Sequence, residues 1–305
     1  MKVLVTGGAG YIGTELISHL SRNSSVEEVI VYDNLSRGNF SFFLNGGLDG
    51  GKVKFVQGDI LDSRNLRKQL EGVDTVYHLA ARVTTPFANT DAHDYEQVNH
   101  WGTAELVYAV EESDVSKFIY VSSASVYGSS KEHLDENRTV NPKTLYGISK
   151  MRGEEHVFRL QDKMETYVMR CGNVYGYSRS MRFDAVINRF TFDANFSNRI
   201  SIHGNGKQSR SFIHIDLISD VLEKLLDKSI PSDIYNLVDK NLSVLDLVDV
   251  FKEVYPNLEF IFINQHLSLR EMKINASEKL KKYIPFENNN SLKNEILDFK
   301  KKLSF

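Results

Sequence analysis

The sequence has little of what marks several protein classes. It holds one cysteine, Cys171, in 305 residues, so an intrachain disulfide cannot form, and no Cys/His cluster has zinc-ligand spacing. A reducing compartment and a metal-free site are the expectations. With only five prolines and one tryptophan, and no internal repeat or low-complexity linker, two lobes would pack tightly rather than swing on a tether. Lys and Arg number 37 against 40 Asp and Glu, a formal charge of −3 with no long block of one sign, which removes the electrostatic footprint of a nucleic-acid binder. No apolar run approaches the roughly 20 residues that span a bilayer. The N-terminal Val3-Leu4-Val5 run gives way to Thr6-Gly7-Gly8, too early for a signal-peptide core. Lys300, Lys301 and Lys302 read as solvated surface. A cytoplasmic protein without membrane or nucleic-acid partners is expected.

What is present is an ordinary globular composition, 41% hydrophobic and 25% charged. The first two-thirds alternates short β-branched runs with helical stretches. Strands are predicted at 3–5, 28–32, 53–56, 75–78, 117–122 and 166–170, and helices at 14–22, 63–70, 96–112 and 145–161. Right-handed crossovers make such an alternation an α/β fold with a doubly wound parallel sheet, the Rossmann arrangement. After Arg170 the pattern loosens, with helices near 183–194, 216–227 and 244–254 and a Gly-rich turn at Gly204 to Gly206. This reads as a smaller interleaved α/β substrate lobe, mainly 171–305, with 1–170 and a return segment at about 210–238 forming the dinucleotide-binding domain. The Gly/Asn-rich stretch from Asn34 to Gly51 reads as a surface excursion.

The first strand runs into Thr6-Gly7-Gly8-Ala9-Gly10-Tyr11-Ile12-Gly13 and then a helix. A pyrophosphate must approach backbone N–H groups at a helix N-terminus, and side chains at Gly8 and Gly10 would obstruct it. Gly13 lets the helix pack against the sheet. Asp33, twenty residues on at the end of the second strand, is placed to accept from the adenosine ribose hydroxyls and disfavours a 2′-phosphate, so NAD is expected over NADP, with Arg37 leaving the second open. Gly58-Asp59-Ile60 fits the adenine rim. His78-Leu79-Ala80-Ala81 ends the fourth strand, where such sheets bind ligands, although His78 by itself reads as a packed core histidine.

Tyr146 and Lys150 are four residues apart at the start of a helical stretch and so share a face. A phenol is a weak base at neutral pH, but a neighbouring ammonium and a cationic nicotinamide both favour the phenolate, so the pair can take a proton from an alcohol while hydride leaves. Ser123, at the end of the fifth strand in Val121-Ser122-Ser123-Ala124-Ser125-Val126-Tyr127-Gly128, can hydrogen-bond the same substrate oxygen.

These motifs, with Asp33-Asn34-Leu35-Ser36, Asn99, Gly102-Thr103, Arg170 with Asn173-Val174-Tyr175-Gly176, and Arg210-Ser211-Phe212-Ile213-His214, make the sequence resemble the extended short-chain dehydrogenase/reductases. Within them it is similar to the nucleotide-sugar epimerase and dehydratase branch, and in particular to the UDP-glucose 4-epimerases. The resemblance covers most of the chain. It implies Tyr146 as catalytic base and acid, Lys150 as its partner and ribose ligand, and Ser123 as the oxygen-orienting hydroxyl. It implies an NAD site drawing on Gly7, Gly10, Tyr11, Ile12, Gly13, Asp33, Asn34, Asp59, Ile60, Leu79, Ala80, Ala81 and Asn99, and a nucleotide-sugar site, UDP-sugar foremost, with Thr84, Ser123, Asn173, Arg210 and Arg270. A homodimer through the 96–112 and 145–161 helices is also implied.

The branch's dehydratases carry acids at the two positions after the catalytic hydroxyl, and here those positions are Ala124 and Ser125. Elimination of water is therefore disfavoured, and epimerisation, with C4 inverted through a transient 4-keto sugar, is expected. A 4-keto-nucleotide-sugar reductase using NAD(P)H and a non-catalytic dinucleotide-sensing module are the alternatives. The Ser178 to Asp184 segment departs from the galactose-type enzymes, and its arginines suit phosphate or an acidic sugar.

Overall fold

The computed structural model describes residues 1–44, 51–83, 91–264 and 271–303. The first part of the chain gives β1 (Lys2–Thr6), α1 (Tyr11–Arg22), β2 (Glu28–Asp33), β3 (Val53–Gln57), α2 (Ser63–Gln69), β4 (Thr75–His78), α3 (Ala92–Tyr95), a π-helical segment at Glu96–Trp101, α4 (Gly102–Glu111) and β5 (Lys117–Ser123). There follow β6 (His133–Leu134), α5 (Leu145–Val157), β7 (Glu165–Cys171), β8 (Asn173–Tyr175), α6 (Val186–Ser197), β9 (Arg199–His203), β10 (Ser209–His214), α7 (Ile215–Asp227) and β11 (Asp233–Leu237). The last elements are β12 (Lys240–Ser243), α8 (Val244–Val254), β13 (Glu259–Ile263), β14 (Lys273–Ile274), α9 (Glu278–Lys281) and α10 (Leu292–Leu303).

Seven strands form one sheet in the order β11-β7-β5-β4-β1-β2-β3, every neighbouring pair parallel. A parallel sheet joined by helical crossovers is covered on both faces, so its strands are apolar throughout rather than alternating. Val3, Val5, Val29, Val31, Ile119 and Tyr167 pack with Leu16, Leu20, Val221 and Leu225 of α1 and α7. Leu4, Ile30, Val76, Phe118 and Val168 pack on the opposite face with Leu66, Leu106, Val110 and Val157 of α2, α4 and α5. The order reverses direction at β1 and β4, and the carboxyl ends of those strands open the crevice where such sheets take ligands.

The rest of the chain builds a lobe over that crevice. A three-stranded sheet, β12-β10-β8, and the pair β13-β9 enclose a separate core of Phe190, Ile200, Ile202, Phe212, Leu247, Phe251 and Ile296. The 210–238 segment divides: β10 stays in this small sheet, while α7 and β11 return to the large one. Helix α8 starts at a capping box, where Ser243 Oγ accepts from Asp246 N at 3.1 Å and Asp246 accepts from Ser243 N at 2.7 Å.

The segment after β2 differs from a plain surface excursion. Phe42 is fully buried and packs on Phe55, and the Ser41 hydroxyl donates to the Arg179 carbonyl at 2.8 Å. Burial of one large aromatic side chain outweighs the polar composition around it. Residues 45–50 of that stretch lie outside the described residues.

Candidate active site

A cleft of about 1180 Å³ runs from the β1–α1 turn to the small lobe. At its inner end, Gly7 has φ of +71° and a Cβ there would lie 2.5 Å from the Ala80 amide nitrogen, so the turn sits directly on the end of β4. Helix α1 begins at Gly10 with no side-chain cap and no acidic residue in its first turn. Its first N–H groups therefore face the cleft, a backbone anion site. Gly7, Gly10, Tyr11, Ile12 and Gly13 line it. Gly8 does not, and this corrects the expectation that it clears the way for a phosphate. A Cβ on Gly8 would meet Ile17 and Val31 at 2.8 Å, inside the core. Gly13 is needed for contact with the turn itself, a Cβ there lying 2.6 Å from the Gly7 and Gly8 backbone.

Asp33 ends β2 at the cleft wall. Its carboxylate accepts from Ala9 N at 3.0 Å and Leu35 N at 2.8 Å, and burial pushes its pKa upward against those two bonds. Beside it the Asn34 amide donates to Asp59 Oδ2 at 2.9 Å, joining the β2 and β3 ends into one rim, with Ile60 beneath. Arg37 reaches Asp184 at 3.5 Å. Leu79, Ala80 and Ala81 form the facing wall. An uncapped helix start, a glycine turn too tight for any side chain, and a carboxylate at the β2 end fit a dinucleotide.

His78 is fully buried between Thr6 Oγ1 at 2.7 Å and Thr103 Oγ1 at 2.9 Å. Burial holds its pKa well below the usual histidine value, so it is a neutral core residue, as its surroundings in sequence suggest. Asn99 is also fully buried and stands behind the wall, not on it. It accepts from Arg82 N at 2.7 Å and donates to the Arg82 carbonyl and Ser149 Oγ, so it braces the β4 exit loop against α5.

At the centre of the cleft α5 presents Tyr146 and Lys150, and β5 presents Ser123. Thr144 starts the helix, its hydroxyl accepting from Gly147 N at 2.9 Å. Burial raises the Tyr146 phenol, opposed by a hydrogen bond with Ser123 and by the positive charge of Arg182. The Ser123 hydroxyl in turn accepts from Ser125 Oγ at 3.0 Å. Lys150 is 1% exposed, and burial lowers it to about 7, countered by Glu154 and Cys171. The ammonium expected to depress Tyr146 is thus itself depressed, and the cation acting on the phenol is Arg182, contributed by the small lobe. Tyr95 meets the Tyr146 ring edge-on at 6.2 Å. Neither Tyr95 nor Arg182 has a motif that ties it to Tyr146 in sequence.

At the outer end, Asn173 on β8 and Arg210 on β10 line the cleft on adjacent strands. Asn173 donates to the Ser211 carbonyl at 3.0 Å, and Arg210 to the Ser209 carbonyl at 3.0 Å. Thr84 and Arg270 lie outside the described residues. Among the described residues no three His, Cys, Asp or Glu side chains group as a metal site, and no helix is long and apolar enough to cross a membrane.

A doubly wound sheet with an anion-binding turn at its switch point, and a Tyr/Lys/Ser group facing it, defines a Rossmann-type nucleotide-binding enzyme of the short-chain dehydrogenase/reductase kind. Residues 3–237 match the NAD dependent epimerase/dehydratase family, and the chain belongs to that family. It is 33% identical over 262 residues to dTDP-D-glucose 4,6-dehydratase of Bos taurus, covering 83% of this chain and 73% of that protein. It is 30% identical over 259 residues to a putative UDP-glucose 4-epimerase of Methanocaldococcus jannaschii, covering 82% and 81%. Among solved structures it is similar to the UDP-glucuronic acid 4-epimerase of Bacillus cereus in complex with UDP-glucuronic acid and NAD. That match has a TM-score of 0.86 at 27% identity and covers 99% of this chain and all of that one.

Proposed function

We propose that the protein is an NAD-dependent nucleotide-sugar epimerase that inverts C4 through a transient 4-keto sugar. The observation that carries this reading is Ser123 and Tyr146 together in the cleft with Ala124 and Ser125, not acids, after Ser123. Dehydration requires an acid and a base beside the hydroxyl. The side chains that act most strongly on Tyr146 among the described residues are Ser123, Arg182, Cys171 and Tyr95, none of them a carboxylate. The dehydratase names among the relatives are therefore not the reading that this site favours.

In the proposed reaction Tyr146 takes the proton of the sugar hydroxyl and later returns it, while Ser123 holds the oxygen in line. NAD, when bound, supplies the acceptor and the donor of hydride at the ring carbon. Gly7, Gly10 to Gly13, Asp33, Asn34 and the Leu79 to Ala81 wall would hold it, with Lys150 at the ribose. Asn173 and Arg210 would anchor the diphosphate, Arg210 as a fixed guanidinium fork, so that the sugar alone turns between the two half-reactions. Arg182 beside Tyr146 supports an acidic sugar as one substrate, and UDP-glucuronic acid in the Bacillus cereus enzyme makes that the first one to try.

The test incubates the purified protein separately with UDP-glucuronate and UDP-glucose and separates the products. An isomer of unchanged mass, with no net reduction of NAD, supports the epimerase. Loss of one water makes it a dehydratase, and steady consumption of added NADH or NADPH makes it a reductase. The same reading places the protein in the cytoplasm and pairs two copies through the 96–112 and 145–161 helices, where Trp101 of the π-helical segment stands 49% exposed. Light scattering that returns the 34.8 kDa mass of one chain would overturn the pairing.

A further inference from the structure

One buried amide joins the small lobe to the first turn of α1. Asn188, near the start of α6, is fully buried. Its Oδ1 accepts from Gly176 N at 2.9 Å, and its Nδ2 donates to Tyr11 Oη at 3.1 Å and to the Arg182 carbonyl at 3.0 Å. Tyr11 donates its own hydroxyl hydrogen to the Gly176 carbonyl at 2.6 Å. Burial pushes the Tyr11 phenol above its ordinary range, so the hydroxyl keeps that hydrogen and accepts from Asn188. These bonds fix which way the amide faces. Turned over, its oxygen would oppose the Arg182 carbonyl oxygen, and its NH2 would oppose the Gly176 N–H. An amide brings two donor hydrogens and an acceptor, and here each is in use, an arrangement that holds its neighbours in one geometry.

The three partners belong to different parts of the fold. Tyr11 opens α1 at the anion-binding turn, Gly176 follows β8, and Arg182 lies on the segment between β8 and α6. That segment brings Arg182 to the cleft. Two more bonds tie it to α1, from Thr14 Oγ1 to Ser180 Oγ at 2.8 Å and from Ser178 Oγ to the Tyr11 carbonyl at 3.2 Å. Asp184 takes the guanidinium of Arg182 at Nε and Nη2, each at 3.2 Å. The arginine is thus held at both ends, its main chain by Asn188 and its charge by Asp184.

We propose that Asn188 is a positioning residue that anchors Arg182 in the cleft. Asn188 does not itself line the cleft and acts through the Arg182 main chain. Its consequence for sugar preference rests on the acidic-sugar reading of Arg182 given above; the anchoring does not.

Two measurements on the purified protein test this. Hydrogen exchange across residues 177–184, followed by mass spectrometry, should quicken about tenfold or more in Asn188→Leu, a side chain of similar volume that makes none of the bonds. If Asn188→Leu fails to fold, Asn188→Asp keeps the shape and the acceptor, loses both donor hydrogens, and should show the same local change. Exchange unchanged in a folded variant overturns the proposal. Calorimetry then compares UDP-glucuronate with UDP. Asn188→Leu and Arg182→Met should each weaken UDP-glucuronate about tenfold, the worth of a charge-assisted bond, and leave UDP nearly unchanged. The double variant should be no weaker than Arg182→Met, since the two act as one unit. Losses that multiply in the double variant, or equal weakening of both ligands, would make Asn188 a general structural residue and overturn the proposal. A wild type that takes UDP-glucuronate no better than UDP, with the exchange effect intact, would sink the acidic-sugar reading and leave the anchoring standing.

Discussion

The ammonium of Lys150 lies 4.1 Å from the centroid of the Tyr120 ring, one helical turn from Tyr146. Tyr120 is fully buried, and among the described residues its hydroxyl has no hydrogen-bond partner of good geometry, so the ring face, not the hydroxyl, serves Lys150. Tyr120→Phe is expected to keep activity and to stay within about 1 kcal/mol of wild-type stability, because no bond is lost. Tyr120→Leu removes the aromatic face and should lower turnover. Equal loss in both variants, in parallel kcat and thermal melting measurements, would assign the role to the hydroxyl.

Tyr146→Phe deletes the proposed proton carrier and nothing that supports the fold. Turnover should fall by about 10²- to 10⁴-fold, the usual contribution of a positioned acid or base, with NAD content of the purified protein unchanged. A variant that keeps wild-type turnover would remove Tyr146 from the mechanism.

Arg182 is the cation that favours the Tyr146 phenolate. Its removal in Arg182→Met should raise the phenol's pKa and move the acidic limb of kcat/KM to higher pH. Asp184 pairs with Arg182 at 3.2 Å, so Asp184→Asn should move the limb the other way. If both substitutions leave the profile in place, Arg182 does not act on the proton transfer.

Gly7→Ala puts a Cβ into the left-handed region at φ of +71° and 2.5 Å from the Ala80 backbone. Because backbone meets backbone, no rotamer relieves the clash. The variant should melt several degrees lower, by about 2 kcal/mol or more, and lose bound NAD. Gly10→Ala, whose Cβ would lie 3.0 Å from the Gly7 carbonyl oxygen and needs only a small shift there, should melt above Gly7→Ala, and the comparison of NAD content between the two separates packing from cofactor approach.

Lys150 also makes stability depend on pH. Its folded pKa of about 7 lies well below the ordinary lysine value of 10.5, so between those limits the unfolded chain binds more protons and this group's contribution to stability rises with pH. Lys150→Met lacks the group. The melting temperature of the cofactor-free variant should exceed wild type most at pH 7 or below, and the gap should narrow toward pH 10. A gap constant across that range would mean that Lys150 is not buried as a titrating group.

Much of this was legible in the linear order. The β-branched runs mark all six predicted strands of the large sheet because parallel strands buried on two faces tolerate little else, and β11 completes the sheet from a segment read only as a return. Tyr146 and Lys150 announce themselves by helical spacing. Phe42 did not, since its surroundings are Gly, Asn and Ser and its burial depends on Phe55 from another strand. Gly8 was misassigned for a related reason: a glycine in a turn looks the same whether it faces ligand or core.

The sequence by itself determined the parallel sheet, the anion-binding turn and the spacing of the proton-transfer pair, because each depends on periodicity or on residues within a few positions of one another. Tertiary structure alone decided which charges act on that pair. Arg182 reaches Tyr146 from the small lobe, and the Asn188 amide that holds it meets Tyr11 and Gly176 only where α6, α1 and the end of β8 pack. Electrostatic fields fall with distance through space, and distance along the chain does not report it.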